Sequence, residues 1–233
     1  AGESSATLYV KDGTLNLGSA SNINISAVGN KSIGVYNNGG TVTLGAAAST
    51  GTYEVGTNGV LLYNSGGGTL STAGSSFSVG SGSIFSIASG AGTTTNFTSP
   101  STLNLLSGAT GFIVDGALGI PTYFSTYYTG LNTNMDVVLT SGATLIALQN
   151  ANSTLSSLSF GSIGSNFKSV TLNGGNMASL LEGTLTIDQN VNLDNAADAY
   201  NTIEKSLIGL TVNAPVTITG TQANQVGLAD NFS

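Results

Sequence analysis

The sequence predicts an all-β fold, a right-handed parallel β-helix in which each coil of the chain packs on the next. A repeat of about 27 residues and strand-like alternation of polar and apolar residues within each repeat both point to it. Composition is the third observation: Gly, Ser, Thr and Asn make up about half of the 233 residues, yet 40% are hydrophobic. A chain this apolar folds rather than remaining disordered.

The repeat is clearest around two tyrosines. Segment 33–41 matches segment 60–68, so that Tyr36 falls on Tyr63. The frame extends upstream to 8–17 and downstream to 84–90, and the same shift places Phe112 of segment 112–116 over Phe85. These matches predict that successive copies lie directly above one another.

Each repeat reads as a short strand, a Gly/Asn/Asp turn and a second strand, such as 14–17 or 41–44. One repeat has too few apolar residues for its own core, so it must stack on its neighbours, and strands repeating in one direction must be parallel. Inward Leu, Val, Ile and Tyr side chains, with Val35 and Leu62 among them, are predicted to form one continuous core. Asn and Thr side chains in the turns are predicted to bond along the axis as ladders. The crossover rule predicts right-handed coiling.

The chain is predicted to be one continuous solenoid fragment with regular rungs over 1–120 and a less regular continuation over 121–233. Two inserted loops interrupt the continuation, one aromatic-rich at 121–130 and one at 194–207. The second is predicted to hold a short helix, because Asn195 and Asp198 form a weak capping box and every fourth residue from Ala199 is apolar. Strands are predicted in the remainder at 136–139, 144–148, 169–172, 183–187, 190–193, 209–213 and 216–220. Strand-like sequence continues through 224–228, as in a piece of a longer protein.

Composition excludes several classes of function. The chain has no His and no Cys, which removes the imidazole base, the thiolate nucleophile and the usual zinc or haem ligands. Its four cations are all lysines against 11 acids, a net charge of −7, which argues against nucleic acid binding. No cofactor is expected. No apolar run is long enough for a membrane-spanning helix.

Segments 31–43, 183–194 and 200–206 resemble passenger regions of type V secreted autotransporters, and more narrowly the very large fusobacterial autotransporter adhesins. The resemblance spans most of the chain and rests on the style of the repeat. It implies a bacterial surface rod held by a C-terminal outer-membrane barrel outside this sequence, displaying sites for host-cell glycans, receptor proteins or other bacteria. Some passengers are proteases or lyases, but no catalytic motif of theirs is matched here.

An aromatic cluster in the 121–130 loop is the first candidate ligand-binding site. It contains Tyr123, Phe124, Tyr127 and Tyr128. Aromatic faces beside hydroxyl groups suit sugar rings or a protein hot spot. The structural alternative is that these rings cover the core where the coil is interrupted.

The 194–207 excursion is the second candidate, since loops on a rigid scaffold commonly carry recognition. The side chains available there are Asp194, Asp198, Tyr200, Asn201, Glu204 and Lys205. The alternative is that the excursion only caps an apolar groove.

An enzymatic alternative uses paired carboxylates, as glycoside hydrolysis requires. Glu182, Asp188 and Asp194 are the candidates for a carbohydrate-active β-helix. A calcium ion is conceivable at Asp188 and Asp194, although the calcium-binding nonapeptide repeat is missing. A third alternative is that the segment is a pure spacer. The expectation taken forward is a non-enzymatic, extracellular adhesin segment with neither catalytic nor metal-binding residues.

Overall fold

The computed structural model confirms a mostly-β parallel solenoid. It describes residues 5–46, 51–115, 122–155, 167–171, 173, 175–187, 191–194, 203–205, 210–212 and 216–219. Two of the predicted loop positions, Tyr200 and Asn201, lie outside these residues, as do Asp198 and the strand-like segment 224–228.

Four regular turns of three strands each begin the fold. Their strands are β1 (Ala6–Lys11), β2 (Thr14–Leu17), β3 (Asn24–Ala27), β4 (Ile33–Asn38), β5 (Thr41–Leu44), β6 (Gly51–Val55), β7 (Val60–Ser65), β8 (Thr69–Thr72), β9 (Ser75–Val79), β10 (Ile84–Ser89), β11 (Thr94–Phe97) and β12 (Ser101–Leu105). The sequence predicted two strands in each repeat, and the structure adds a third.

The less regular continuation begins at β13. Its elements are β13 (Thr110–Asp115), β14 (Thr122–Tyr123), α1 (Phe124–Tyr127), β15 (Tyr128–Thr129), α2 (Leu131–Asn134), β16 (Met135–Leu139), β17 (Thr144–Leu155), β18 (Ser169–Thr171), β19 (Asn176–Ile187), β20 (Val191–Asp194), β21 (Ile203–Lys205), β22 (Leu210–Val212) and β23 (Val216–Thr219). Each strand predicted between residues 130 and 220 is present, although β17 and β19 each extend seven residues beyond the predicted bounds.

Three parallel sheets form the sides of the solenoid. The first sheet runs β1-β4-β7-β10-β13-β17-β19-β21, the second β2-β5-β8-β11-β15, and the third β3-β6-β9-β12-β16-β18. β14 and β22 also pair with the first sheet, and β20 pairs with β23. Every pairing within the three sheets is parallel, as the repeat requires.

The register confirms the stacking of the two tyrosine repeats. Tyr36 of β4 lies opposite Tyr63 of β7, and Val35 lies opposite Leu62. Val35 and Leu62 are fully buried, as predicted. The predicted alignment of Phe112 with Phe85 is wrong by one residue, because Phe112 pairs with Ser86. Phe85 and Ser86 are both buried, so the in-out alternation of the strand is interrupted there.

Asparagine side chains form ladders, as predicted, but the buried pair lies near the ends of strands β4 and β7 rather than in the turns. Asn37 donates to the Asn64 Oδ1 at 2.9 Å and to the Gly40 carbonyl oxygen at 2.9 Å, and both asparagines are fully buried. Asn64 donates in turn to the Thr94 carbonyl oxygen of the next rung at 2.9 Å. These bonds satisfy the buried amide nitrogens of both asparagines and the Asn64 Oδ1, while the Asn37 Oδ1 accepts no hydrogen bond within the described part of the chain.

Aromatic rings fill the middle of the core as one column of edge-to-face and tilted pairs. Ring centroids lie 5.1 Å apart for Tyr53 and Phe77, 4.9 Å for Phe77 and Phe85, and 5.1 Å for Phe85 and Phe112. Such pairs add to the stabilisation that comes from burying their area alone.

The prediction of a helix within 194–206 is wrong where the structure describes that segment. Ile203–Lys205 forms β21, with Ile203 opposite Ala178 and Glu204 opposite Ser179 of β19. Pairing with an existing sheet edge outweighs a weak capping box and a short apolar periodicity. The two helices among the described residues lie instead in and just after the aromatic-rich segment, which was predicted to be a loop.

Candidate ligand-binding surfaces

The predicted aromatic cluster is mostly built into the core. Phe124 and Tyr127 belong to α1 and Tyr128 begins β15, and their exposed fractions are 2%, 3% and 3%. Tyr123 lies in β14, opposite Thr154 of β17. Burial of three of the four rings favours the structural alternative, that they cover the core where the coil is interrupted.

Both the ring and the hydroxyl group of Tyr128 make contacts inside the core. Its ring packs on Phe112 and Phe124, with centroids at 4.9 Å and 5.0 Å, and its hydroxyl lies 3.1 Å from the Ser86 carbonyl oxygen and 2.9 Å from that of Ile113. The hydroxyl shares its one proton between these two acceptors. Burial raises the pKa of Tyr128, so the hydroxyl stays protonated and donating.

A small cavity opens beside this cluster. Its volume is about 180 Å³, and its lining includes Phe124, Tyr128, Gly130 and Leu131. Gly130 has φ +77°, and an added Cβ would clash with the Phe97 carbonyl oxygen, so only glycine fits there. Typical ligand pockets begin at about 300 Å³, so this cavity is small for a binding site.

The carboxylates of the enzymatic alternative occupy separate elements. Glu182 lies in β19 opposite Gln149 of β17, and Asp194 lies in β20 opposite Thr219 of β23. Asp188 lies outside the described residues. Among the side chains that the structure describes, no three His, Cys, Asp or Glu residues come together as a metal site would require.

A ladder of tyrosines on the outside of the first sheet is a surface that the sequence analysis missed. The ring centroids of Tyr9 and Tyr36 are 5.0 Å apart, and those of Tyr36 and Tyr63 are 4.9 Å apart with nearly parallel planes. Tyr36 and Tyr63 are half-buried and Tyr9 is 53% exposed. The prediction that the repeat tyrosines face the core is therefore wrong; we call this feature the tyrosine ladder.

Apolar residues continue this outer face beyond the end of the ladder and along one side of it. Ile87 follows Tyr63 in the register, and a second line consists of Ile33, Val60 and Ile84. All four of these aliphatic side chains are half-buried. The match of Tyr36 to Tyr63 in the repeat was a signal for the ladder, but it could not tell the inner from the outer face.

A groove on the outside of the third sheet is the second surface that was missed. Its volume is about 400 Å³, and the lining includes Thr52, Gly74, Ser76, Pro100, Thr102 and Asp136. Thr52, Ser76 and Thr102 are successive partners in the register of β6, β9 and β12, and all three are exposed. We call this feature the third-sheet groove.

Asp136 lies at one end of this row of hydroxyl-bearing residues. It follows Thr102 in the register, and its carboxylate accepts from the Lys168 Nζ at 2.6 Å and from the Ser169 hydroxyl at 2.5 Å. The hydrogen bond from Lys168, helped by Ser169, holds the pKa of Asp136 below its ordinary value, although partial burial opposes the shift. The carboxylate is thus ionised and already paired at neutral pH.

Comparisons with protein-family models, with curated proteins and with solved structures find no match for this chain. Both helices in the described part of the chain have four residues, and neither is long enough to cross a bilayer. The described residues therefore form a parallel β-solenoid of about four regular turns, with a tyrosine ladder on one side and a hydroxyl-lined groove on another.

Proposed function

We propose that this chain is a non-enzymatic segment of a bacterial cell-surface adhesin. In this proposal the solenoid extends from the outer membrane, held by a C-terminal barrel outside the sequence, and presents its sides to a host-cell glycan or receptor protein or to a partner bacterium. The resemblance of the repeats to autotransporter passengers supports the class, and the parallel solenoid is compatible with it.

The tyrosine ladder is the observation that carries the proposal. Contiguous apolar surface on the outside of a soluble protein marks interaction sites. Tyrosine is enriched at binding hot spots because it offers a large contact area at low entropic cost. Three stacked rings, flanked by half-buried aliphatic side chains, form such a surface along four successive rungs of the first sheet.

The second and third sheets differ from the first sheet in the residues that they place on the outside of the solenoid. One outward line of the second sheet carries Thr14, Thr41, Thr69 and Thr94 in register, and one outward line of the third sheet carries Thr52, Ser76, Thr102 and Asp136. The fold therefore tolerates short polar side chains at outward positions. Large apolar residues on the first sheet are not required by the stacking itself, which supports a role in binding.

A cell-binding assay tests the proposal. The whole 233-residue chain, immobilised on beads, should bind host or partner cells saturably, and Tyr36→Thr/Tyr63→Thr should lose most of that binding while keeping the wild-type circular dichroism spectrum. Thr is chosen because it also favours strands. Thr43→Ala/Ser71→Ala on the second sheet is the matched control and should bind normally.

Two other outcomes separate the alternatives. Absence of saturable binding by the wild-type chain would mean that the segment is a spacer. Release of reducing ends from a polysaccharide, abolished by Asp188→Asn, would mean that the chain is a carbohydrate-active enzyme.

A further inference from the structure

We propose that the third-sheet groove binds an extended, uncharged glycan along the solenoid axis. This inference rests on the proposed function in taking the solenoid as a surface binder, and it names a ligand class and a site separate from the tyrosine ladder. Its basis is a row of free hydroxyl groups on a rigid sheet, inside a groove of about 400 Å³.

The hydroxyls of Thr52, Ser76 and Thr102 are available to a ligand. All three side chains are exposed, and within the described part of the chain none of these hydroxyls makes a hydrogen bond. Each is both a donor and an acceptor, as are the hydroxyls of a sugar. Parallel pairing places them one rung apart, about 4.8 Å, which is close to the length of one hexopyranose unit.

The backbone under the groove is held in place by the neighbouring rungs. The Thr52 N–H donates to the Asn24 Oδ1 of the preceding rung at 3.0 Å, and the Ser75 N–H donates to the Ser101 hydroxyl of the following rung at 3.3 Å. Gly51 has no room for a side chain, because an added Cβ would clash with the Ile23 carbonyl oxygen. The hydroxyl row is therefore preorganised, which lowers the entropic cost of binding.

The charges at the groove and on the whole chain favour an uncharged ligand. Asp136 is the one charged residue among the described residues that line the groove, and its carboxylate is paired with Lys168. A uronate or sulfated chain would meet no unpaired cation among the described residues that line the groove, on a protein of net charge −7. A net negative protein without such a cation opposes the binding of an anionic chain.

A peptide fits the groove less well than a glycan. Peptides that bind sheets commonly add a strand to a free edge. Here β6, β9 and β12 each have partners on both sides, so they offer no edge. Apart from glycines, Pro100 is the one apolar residue among the described residues that line the groove. The groove therefore has no apolar pocket for the side chains of a peptide.

The groove spans the rungs from β6 to β16. Three rung intervals of about 4.8 Å each give a length of roughly 14 Å, enough for a few sugar units. The expected ligand is therefore a stretch of a linear, neutral polysaccharide, which the protein holds by hydrogen bonds from side-chain hydroxyls.

Titration calorimetry with the whole chain tests this inference. The probes are neutral cello-, xylo- and malto-oligosaccharides, with an oligogalacturonate of equal length as the charged comparison. We expect wild-type protein to bind at least one neutral series and not the oligogalacturonate. Thr52→Val/Thr102→Val removes two hydroxyls without changing side-chain shape, and it should raise Kd by about tenfold, the effect of losing two neutral hydrogen bonds.

Thr41→Val/Thr43→Val on the second sheet is the matched control and should leave Kd unchanged, as should the ladder variant Tyr36→Thr/Tyr63→Thr. Thermal melting shows that each variant is folded. If no neutral series binds, or if the second-sheet variant weakens binding as much as the groove variant, the groove inference is wrong. Cell binding that persists in that case, and that still depends on the tyrosine ladder, would leave the proposed function standing.

Discussion

At the scale of single residues, Tyr128 shows how a polar group is accommodated in an aromatic core. Its ring lies among Phe112 and Phe124, and its hydroxyl reaches two backbone carbonyl groups on neighbouring strands. The side chain therefore ties β15 to β10 and β13. A residue in this position stabilises the fold and is not accessible to a ligand.

Tyr128→Phe tests this role. We expect the free energy of unfolding to fall by about 1 kcal/mol, because the variant keeps the ring but loses the buried hydrogen bond. Tyr128→Ala should cost more, about 3–5 kcal/mol, because it also leaves a cavity. Denaturant unfolding measures both values, and an unchanged midpoint for the alanine variant would show that this ring is not part of the core.

Asp136 gives the chain an acid-sensitive contact. Its folded-state pKa lies below the ordinary value of 3.8, so its contribution to stability is present above that value and is lost as the pH falls through the lowered pKa. The side chains of Asp136 and Lys168 are 37% and 43% exposed, so the contribution is screened and should not exceed about 1 kcal/mol.

Asp136→Asn is the variant that isolates this contact. The free energy of unfolding of this variant should be lower than that of the wild type at pH 7. The difference should shrink as the pH falls below 3.8 or as salt is added. Melting curves over pH 2–7 measure it. A difference that grows towards low pH would contradict the assigned sign.

At the scale of elements, the asparagine ladder joins consecutive turns through side chains as well as through the sheets. Asn64 accepts from Asn37 below it, and it donates to carbonyl oxygens of Gly68 in its own turn and Thr94 in the next. Its removal leaves several buried polar groups without partners, whereas Asn30 belongs to an exposed ladder with Asn58.

The two ladders therefore give a matched comparison. Asn64→Ala should lower the free energy of unfolding by about 2–3 kcal/mol, since buried partners lose their bonds. Asn30→Ala should change it by less than about 0.5 kcal/mol, the usual range for surface positions. Equal effects in urea unfolding would show that burial of the ladder does not matter.

The sequence predicted most strands of the solenoid but missed one strand in each regular turn. Matching segments placed Tyr36 over Tyr63, because stacked rungs repeat the same local pattern, whereas strand-like sequence alone predicted the strands after residue 130. The third strand of each turn was missed, since sequences such as 75–79 alternate small polar and apolar residues without a distinctive marker. The helix near 203 was predicted from four-residue spacing, which pairing with β19 overrode.

The two surfaces were missed for a different reason. Which face of a strand points outward depends on the interruption at Gly34 and Val35, where consecutive residues are both buried. After such an interruption, simple alternation assigns the tyrosines to the wrong side. The third-sheet groove combines Thr52, Ser76 and Thr102 from three different turns, so it requires the register before it can be recognised.

At the scale of the whole molecule, the fold is a stack in which each regular turn pairs with the next one through all three sheets. A 233-residue chain with 6% charged residues and no Cys gains its stability from this continuous core and from backbone pairing along the axis. The sides of the stack then remain free to differ. One carries aromatic rings, one carries hydroxyls without charge, and one carries a groove.

Disulfide formation between introduced cysteines tests the vertical register of the turns, because the chain has no Cys of its own. Thr43 and Ser71 are register partners on the outside of the second sheet, whereas Ser78 lies on the third sheet. Thr43→Cys/Ser71→Cys should form an intramolecular disulfide readily under mild oxidation, since neighbouring strands bring Cα atoms within about 5–6 Å. Thr43→Cys/Ser78→Cys should remain reduced as a monomer. Equal cross-linking of the two pairs, or none in the first, would contradict the stacked solenoid.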